Sequence, residues 1–379
     1  MLKKLDELQV DCESTDKAVY CLLRGRALNI TDKYNEKAFE LLSRSVKLKP
    51  QLTEAWNQLG ECFWKKGDNQ SALNCFESAL KHEVNKISLR NASMVLRQLG
   101  NTAEEKDTNL LKSLEKAKQS LECDISDGIS WYILGNAYLT LFFRTQTKRD
   151  SSLLNACKAA YLKAFNHKIA KSQTDFLFNY GTVLQYEEEF LKSLECLQRA
   201  VLLDPEWKEP FERKNSIITY LKDCCEMCDK KASLKARRIH SFIEGLAKDL
   251  KLKIYENRKF AKFSQLSVGP NTSIDLISKV IACINNSSAM AQTYCIIDCD
   301  KQCIILLIYN LSPDSGPKLG DTLVIEKPLV KSQDFCFDGI SYQFKSIRIE
   351  NPLNLIINNR KISKESIVLP KVDNFLKND

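Results

Sequence analysis

Residue types that commonly carry enzyme chemistry are sparse in this chain. The three histidines lie near no carboxylate or cysteine at a spacing typical of a catalytic triad or zinc site. They are His82, His167 and His240. The densest thiol group, Cys224, Cys225 and Cys228, has no partner cluster, and helix cysteines of this kind are usually buried side chains. The sequence therefore predicts a protein that is not an enzyme and that binds no metal or cofactor.

A cluster of Lys and Arg residues is the second feature that could carry a binding function. The chain has 56 Lys and Arg against 48 Asp and Glu, a net charge of +8. A cluster of cations stands on a predicted helix and just after it: Lys230, Lys231, Lys235, Arg237, Arg238, Lys248, Lys251 and Lys253. Clustered cations gain affinity for nucleic acids by releasing counterions. A solvated helix face and a phosphate-binding stripe are both open interpretations of this cluster.

Helical repeats are the elements that would position such groups. One series of residues stands at the offsets of a tetratricopeptide repeat (TPR): Trp56, Leu59, Gly60, Phe63, Ala72, Phe76 and Ala79. Weaker copies in the same register begin near Gly25, Leu89, Trp131 and Leu177, the third of them with an insertion around residues 143–154 between its helices. The pattern predicts five helix pairs between Lys17 and Pro205, followed by a capping helix from Trp207 to about Cys228.

The register also predicts which residues face the groove of the stack. Positions 2, 5, 9 and 12 of each first helix point to the concave side. Asp175 and Glu209 fall at position 2 of their helices, and Arg97 falls at position 12. Such a groove suits a peptide that carries both a cation and an anion. The alternative is that the two acids only stabilise the first turns of their helices.

A carboxylate clamp of the kind that binds chaperone tails is not predicted. That clamp needs Lys and Asn at matched inward positions of consecutive repeats. Asn57 and Asn91 are present, but Leu22 and Ile87 occupy places where the clamp needs Lys.

From about Val268 the sequence changes to short β-rich runs separated by turns such as 320–321 and 338–339. Closely spaced strands of this kind favour a small barrel, and an OB-fold is the first choice. The overall expectation is an α+β multidomain protein: an N-terminal helical extension (1–16), a TPR solenoid with its capping helix (17–229), a basic helix or linker (230–264), an OB-fold (265–362) and a tail (363–379).

Three of the repeat segments, residues 54–61, 93–99 and 130–136, together with the terminal barrel, resemble the Strap-like family of TPR proteins. The resemblance implies a non-enzymatic adaptor whose groove recognises the N-terminal peptide of nascent α- or β-tubulin. It places Arg97, Asp175 and Glu209 on that peptide. It also implies contact of Lys235, Arg237 and Arg238 with ribosomal RNA, and recruitment of a factor that triggers co-translational decay of tubulin mRNA.

Two alternatives remain open at this stage. The same resemblance implies a nuclear, stress-responsive transcriptional cofactor that scaffolds acetyltransferase complexes. The barrel also suggests a binder of single-stranded nucleic acid, through Phe335, Phe337, Tyr342 and Phe344 if these rings face solvent. Scattered cysteines, fifteen in all, and the absence of a long apolar run predict reduced thiols, a cytoplasmic and nuclear location, and no membrane partner.

Overall fold

The structure is a computed structural model that describes residues 9–144, 151–252, 258–285 and 290–368. These residues form two compact units, one reaching to Asn179 and the other running from Tyr180 onward. The predicted N-terminal extension, inter-helix insertion and C-terminal tail each fall partly outside the described residues. Within the described part, no helix is long and apolar enough to cross a membrane.

Helices follow one another in antiparallel pairs through the first unit and into the second. In chain order they are α1 (Gln9–Leu28), α2 (Glu36–Leu48), α3 (Thr53–Lys65), α4 (Asn69–His82), α5 (Lys86–Gln98), α6 (Ala103–Cys123), α7 (Gly128–Arg144), α8 (Ser151–Phe165), α9 (Thr174–Tyr186), α10 (Phe190–Leu203), α11 (Lys208–Asp229) and α12 (Ala236–Asp249). The pairs α1/α2 to α9/α10 are the five predicted repeats, and α11 is the capping helix. The predicted TPR solenoid is confirmed.

Local signals set where these helices begin. Asp16 leaves the helical conformation (φ −152°, ψ 94°) and its carboxylate accepts hydrogen bonds from the backbone of Ala18 and Val19, so a new helix starts inside α1. Thr102 and Glu105 form a capping box at the start of α6. Each of these caps satisfies amides that the first helical turn leaves without a partner.

Small residues let the paired helices approach each other. A Cβ atom on Gly60 would lie 2.5 Å from the ring of Phe76, and one on Gly135 would lie 2.2 Å from the ring of Tyr161. In the repeat that begins near Leu89, Ser93 replaces this glycine, and its hydroxyl lies 3.0 Å from the hydroxyl of Ser113, with which it shares a buried hydrogen bond. This contact accommodates the serine that departs from the repeat consensus.

In the described part of the second unit, ten strands form one mixed sheet. They are β1 (Phe260–Ala261), β2 (Gly269–Pro270), β3 (Asp275–Ile284), β4 (Gln292–Ile297), β5 (Cys303–Ile308), β6 (Thr322–Glu326), β7 (Leu329–Phe337), β8 (Ile340–Ile349), β9 (Leu355–Ile357) and β10 (Arg360–Lys361). Their order is β10-β9-β6-β3-β4-β5-β8-β7-β2, with β1 beside β3. Asp338 (φ 49°) and Gly339 (φ 75°) make the predicted two-residue turn between β7 and β8.

The sheet buries both faces over much of its width. One face holds a core that includes Leu276, Ile296, Leu306 and Ile347. On the other face, Leu246 of α12 packs against the sheet beside Ile277. The second unit is therefore built around the sheet with helices laid on it, which is why central strands such as β4 and β5 read as nearly continuous apolar runs.

The basic cluster does not lie on a single helix, so that part of the prediction is wrong. Lys230 ends α11, and Lys231, Ala232 and Ser233 follow with φ of 48°, 54° and 53°. Three successive left-handed residues cannot continue a right-handed helix. The chain restarts at α12 with Lys235 as the N-cap residue.

Candidate functional site

Arg97 lies in the last turn of α5, which begins at Lys86, so the observed helix places it at position 12 as counted from the sequence. The helix begins where it does because the Asn85 side chain accepts a hydrogen bond from the backbone of Ser88. The side chain of Arg97 is half-buried. A cation in the last turn is favoured by the helix dipole, so its placement costs the helix nothing.

Asp175 is the second residue of α9 and is half-buried. The following residue, Phe176, is fully buried against the rings of Tyr132 and Tyr161 and holds the first turn in place. Like Arg97, Asp175 belongs to the first unit. This unit therefore carries one predicted cation and one predicted anion of the groove.

Glu209 is the second residue of α11 and belongs to the second unit. It is exposed, and its carboxylate accepts a hydrogen bond from the indole of Trp207 over 2.7 Å. One turn further along, burial lowers the pKa of the Arg213 guanidinium to about 10, an effect that the Glu209 carboxylate opposes. A cationic ligand at Glu209 would thus meet a carboxylate that is already oriented by Trp207.

A network of charges at the start of α5 was missed by the sequence reasoning. Arg90 donates to Asp127 over 2.7 Å, and Lys86 donates to Asp124 over the same distance. Lys86 and then Ser126 hold the pKa of Asp124 down to about 2. Asp127 also caps α7 by accepting from Ser130. The sequence did contain a signal for this network: two acids three residues apart, Asp124 and Asp127, stand just before a predicted helix.

The chaperone-tail clamp has no counterpart among these side chains. Leu22 is buried in the core of the first repeats, and the amide oxygen of Asn57 accepts a buried hydrogen bond of 2.8 Å from Ser88. Ile87, where the clamp needs Lys, is exposed. Asn57 therefore has a structural partner inside the stack.

The three basic residues predicted to contact RNA are all exposed around the start of α12: Lys235, Arg237 and Arg238. Arg238 lies over the ring of Phe242 at 5.8 Å. Cations at a helix N-terminus face the positive end of the dipole, which costs about 0.3–1 kcal/mol each. A helix that begins with two arginines is therefore less stable than it could be.

The aromatic residues considered for nucleic-acid stacking are mainly core. Tyr342 and Phe344 are buried, and Phe335 packs against Tyr342 at 5.4 Å between ring centroids. Phe335 and Phe337 are half-buried. Since stacking of bases needs an exposed ring face, these four residues do not form a stacking surface.

A second missed feature is an ion pair buried inside the second unit. Glu188, in the turn between α9 and α10, accepts from Arg348 of β8 over 2.7 Å, with 0% and 2% of the two side chains exposed. Tyr309 and Ser346 also donate to this carboxylate. The Arg348 guanidinium lies over the ring of Tyr309 at 4.0 Å. The turn of the last helix pair is thereby fixed to the sheet, and Glu188 is not available to a ligand.

No group of three or more His, Cys, Asp or Glu side chains is arranged to hold a metal ion in the described ranges. Burial raises the pKa of Cys62 to about 11 and that of Cys75 to about 12. Such thiols are poor nucleophiles at neutral pH.

The helix pairs and the sheet define a TPR protein that carries an OB-fold. A model of the tetratricopeptide repeat matches residues 53–81, and a model of the tetratricopeptide repeat protein 5 OB fold domain matches residues 257–370. The chain is 36% identical to human tetratricopeptide repeat protein 5, over 91% of this chain and 81% of that protein. It is 34% identical to the mouse protein, over 96% of this chain and 85% of that protein.

This chain belongs to the tetratricopeptide repeat protein 5 family. Among solved structures it aligns with the APC/C hetero-tetramer Cut9-Hcn1 at 16% identity and a TM-score of 0.49, covering 67% of this chain and 44% of that chain. The family and the TPR architecture support a role as an adaptor in protein interactions. The predicted fold class, a TPR solenoid followed by an OB-fold, is confirmed.

Proposed function

We propose that this protein is a non-enzymatic adaptor that recognises the N-terminal peptide of nascent tubulin at the ribosome. The peptide begins Met-Arg-Glu, so its recognition needs an acid for the arginine and a cation for the glutamate. Arg97 at position 12 of α5, and Asp175 and Glu209 at position 2 of α9 and α11, supply those charges. The single observation that carries the proposal is this match between the charges of the groove positions and those of the ligand.

The basic start of α12 supports the ribosomal part of the proposal. Lys235, Arg237 and Arg238 are exposed, and they follow a turn whose left-handed residues fix the direction in which the chain leaves α11. Cations held in one place on a surface bind phosphates in a salt-dependent manner. In this proposal the adaptor acts in the cytoplasm, where an mRNA-decay factor joins it on the ribosome.

Charge reversal in the groove tests the proposal. Arg97→Glu should abolish photo-crosslinking of the protein to ribosome-bound nascent β-tubulin. A nascent chain whose third residue is changed from Glu to Lys should regain crosslinking to the Arg97→Glu variant and lose it with the natural protein. Arg44→Glu, which reverses an exposed charge on α2, is the matched control and should crosslink normally.

Undiminished crosslinking by a folded Arg97→Glu variant would refute recognition by charge pairing. If the variant fails to fold, as judged by far-UV circular dichroism, Asp175→Asn provides the second test. The alternative, a nuclear scaffold, depends on other surfaces, so its activity should be unaffected by either substitution.

The ribosome contact is tested separately by co-sedimentation. A triple variant, Lys235→Glu, Arg237→Glu and Arg238→Glu, should pellet less with ribosomes, and the slope of log affinity against log salt should fall by about one per lost phosphate contact. Lys345→Glu, an exposed cation of β8, is the control. An unchanged salt dependence in the triple variant would remove this surface from the proposal.

A further inference from the structure

The last turn of α12 is attached to the sheet by a buried polar contact. The Lys279 ammonium of β3 donates to the Asp249 carboxylate over 3.1 Å, and it also donates to the Thr322 hydroxyl of β6 over 2.6 Å. That hydroxyl in turn donates to the same oxygen of Asp249 over 2.6 Å. The ammonium group has a third, longer bond of 3.4 Å to the carbonyl oxygen of Gly320. These three side chains, Asp249, Lys279 and Thr322, form the α12 anchor.

Alternation along β3 explains why the helix and the lysine meet. Residues two apart in a strand share a face, so Lys279 lies on the same face as Ile277, which packs against Leu246 of α12. Gly245 precedes that leucine, and a Cβ atom there would lie only 3.0 Å from the Lys279 side chain. The small residue therefore lets the helix come close enough for Asp249 to reach the ammonium group.

The anchor fixes one half of the helix only. Leu246 is the one buried side chain of α12, a helix that lies wholly within the described residues. Three exposed cations, Lys235, Arg237 and Arg238, form the basic end of α12. Arg238 and Asp249 are eleven positions apart, or about 16 Å along a helix. The anchor is therefore too far away to touch a ligand that is bound at the basic end.

The charge at the anchored end has a cost that the sheet offsets. Asp249 is the last residue of α12, where the helix dipole disfavours an acid. Lys279 opposes that cost, and 11% of its side chain is exposed. Buried ion pairs add little net stability, because desolvation of both charges offsets their attraction, and their best-attested role is to select one arrangement among several. The pair therefore serves mainly to fix the direction of the helix.

We propose that Asp249, Lys279 and Thr322 are positioning residues for the ribosome contact, because they hold α12 at the angle at which its basic end meets ribosomal RNA. This role rests on the proposed function, because it requires the basic end to bind phosphates. A helix that is held in place needs no ordering when it binds, whereas a released helix has to be ordered at that moment. Such ordering releases no counterions, so its cost does not depend on salt.

The anchor can be removed from either side of the contact. Lys279→Met together with Thr322→Val takes both donors away from Asp249 and keeps side chains of similar size in the sheet. Asp249→Ala removes the acceptor instead, and it places a better helix former without an adverse charge at the end of α12. A weaker helix therefore cannot explain a loss of binding in Asp249→Ala.

Co-sedimentation of the full-length protein with ribosomes over a range of salt concentrations measures the effect. Both anchor variants should bind about fivefold more weakly than the natural protein at every salt concentration. The plot of log affinity against log salt should thus be displaced without a change of slope, because the same phosphates are contacted. The triple variant of the basic end should lower the slope itself.

Two controls separate positioning from loss of charge and from unfolding. Lys345→Met removes an exposed cation from the same sheet and should bind like the natural protein. Hydrogen exchange followed by mass spectrometry should show faster exchange of the α12 amides in both anchor variants. Exchange in β4 and β5 should be unchanged, which shows that the helix is released while the sheet stays folded.

Natural affinity in both anchor variants would overturn the positioning role, while weaker binding by the triple variant would still support the ribosome contact. Unchanged exchange in α12 would also overturn it, as would a lower slope in the anchor variants or an equal loss in Lys345→Met. Normal binding by the triple variant would refute the ribosome contact, and the positioning role with it.

Discussion

Arg90 and Asp127 in the first unit, and Arg348 and Glu188 in the second, form ion pairs of the same length, 2.7 Å, in different surroundings. The first pair keeps 13% of each side chain exposed and shares its acid with Lys86. The second pair is buried between a turn and a sheet. The first pair therefore keeps some contact with water, whereas the second is shielded from water and has a structural role.

This difference affects how each unit responds to the loss of one charge. A buried pair balances a large desolvation cost against its mutual attraction, so removal of one partner leaves the other charge unsatisfied. Removal of one charge from a pair that is open to solvent lowers the stability of the protein little, because water replaces the missing partner. The two units should therefore differ most when single charges are removed from matched positions.

The largest effect is expected for Glu188→Gln. It leaves the Arg348 guanidinium buried without its main partner, and the free energy of unfolding should fall by about 3 kcal/mol or more. Urea denaturation followed by circular dichroism measures this loss. Glu189→Gln is the matched control, because Glu189 is exposed and pairs with Lys192 at the surface, so the loss of unfolding free energy should stay below about 1 kcal/mol. Equal losses in the two variants would contradict the structural role of the buried pair.

An intermediate effect is expected for Asp127→Ala. It removes the cap of α7 and the partner of Arg90, and the expected loss is about 1–2 kcal/mol. Tryptophan fluorescence during urea denaturation reports mainly on this region, because Trp56, Trp64 and Trp131 all lie in the first unit. Asp32→Ala, an exposed acid, should unfold like the natural protein. If Asp127→Ala lowered the free energy of unfolding more than Glu188→Gln does, the buried pair would not be the more important of the two for stability.

The smallest effect concerns the pH dependence of the half-buried pair Lys86–Asp124. Because Lys86 and Ser126 lower the pKa of Asp124 to about 2, below about 3.9 in the unfolded chain, its stabilisation is complete above about pH 5 and is lost as pH falls through 2. Asp124→Asn should lower the melting temperature slightly at pH 7, and this difference should shrink steadily below pH 5 to a small remainder at pH 2. In a Lys86→Met background the Asp124→Asn difference should be smaller at pH 7, and a difference that stays constant from pH 7 to pH 2 would contradict this assignment.

The repeat register was readable from the sequence because its physical causes are local. Gly60 and Phe76 must fit against each other in every pair, so residue size repeats along the chain at a fixed period. The observed starts of α5, α9 and α11 place Arg97, Asp175 and Glu209 at the positions counted from sequence alone. Their role in peptide recognition stays a prediction.

The basic segment shows where this local reasoning fails. Its composition favours one continuous helix, yet Lys231 to Ser233 adopt left-handed backbone angles, which none of these residue types favours. The turn contacts strand β3 of the sheet, and tertiary contacts override the helix propensity there.

The sequence by itself determined the class of fold, because amphipathic periods of helix and strand depend on neighbours a few residues away. It could not determine that Glu188 would meet Arg348, since these partners are separated by 160 positions. Only the tertiary structure decided which charges were buried and paired, because burial and pairing depend on what the fold places on each face.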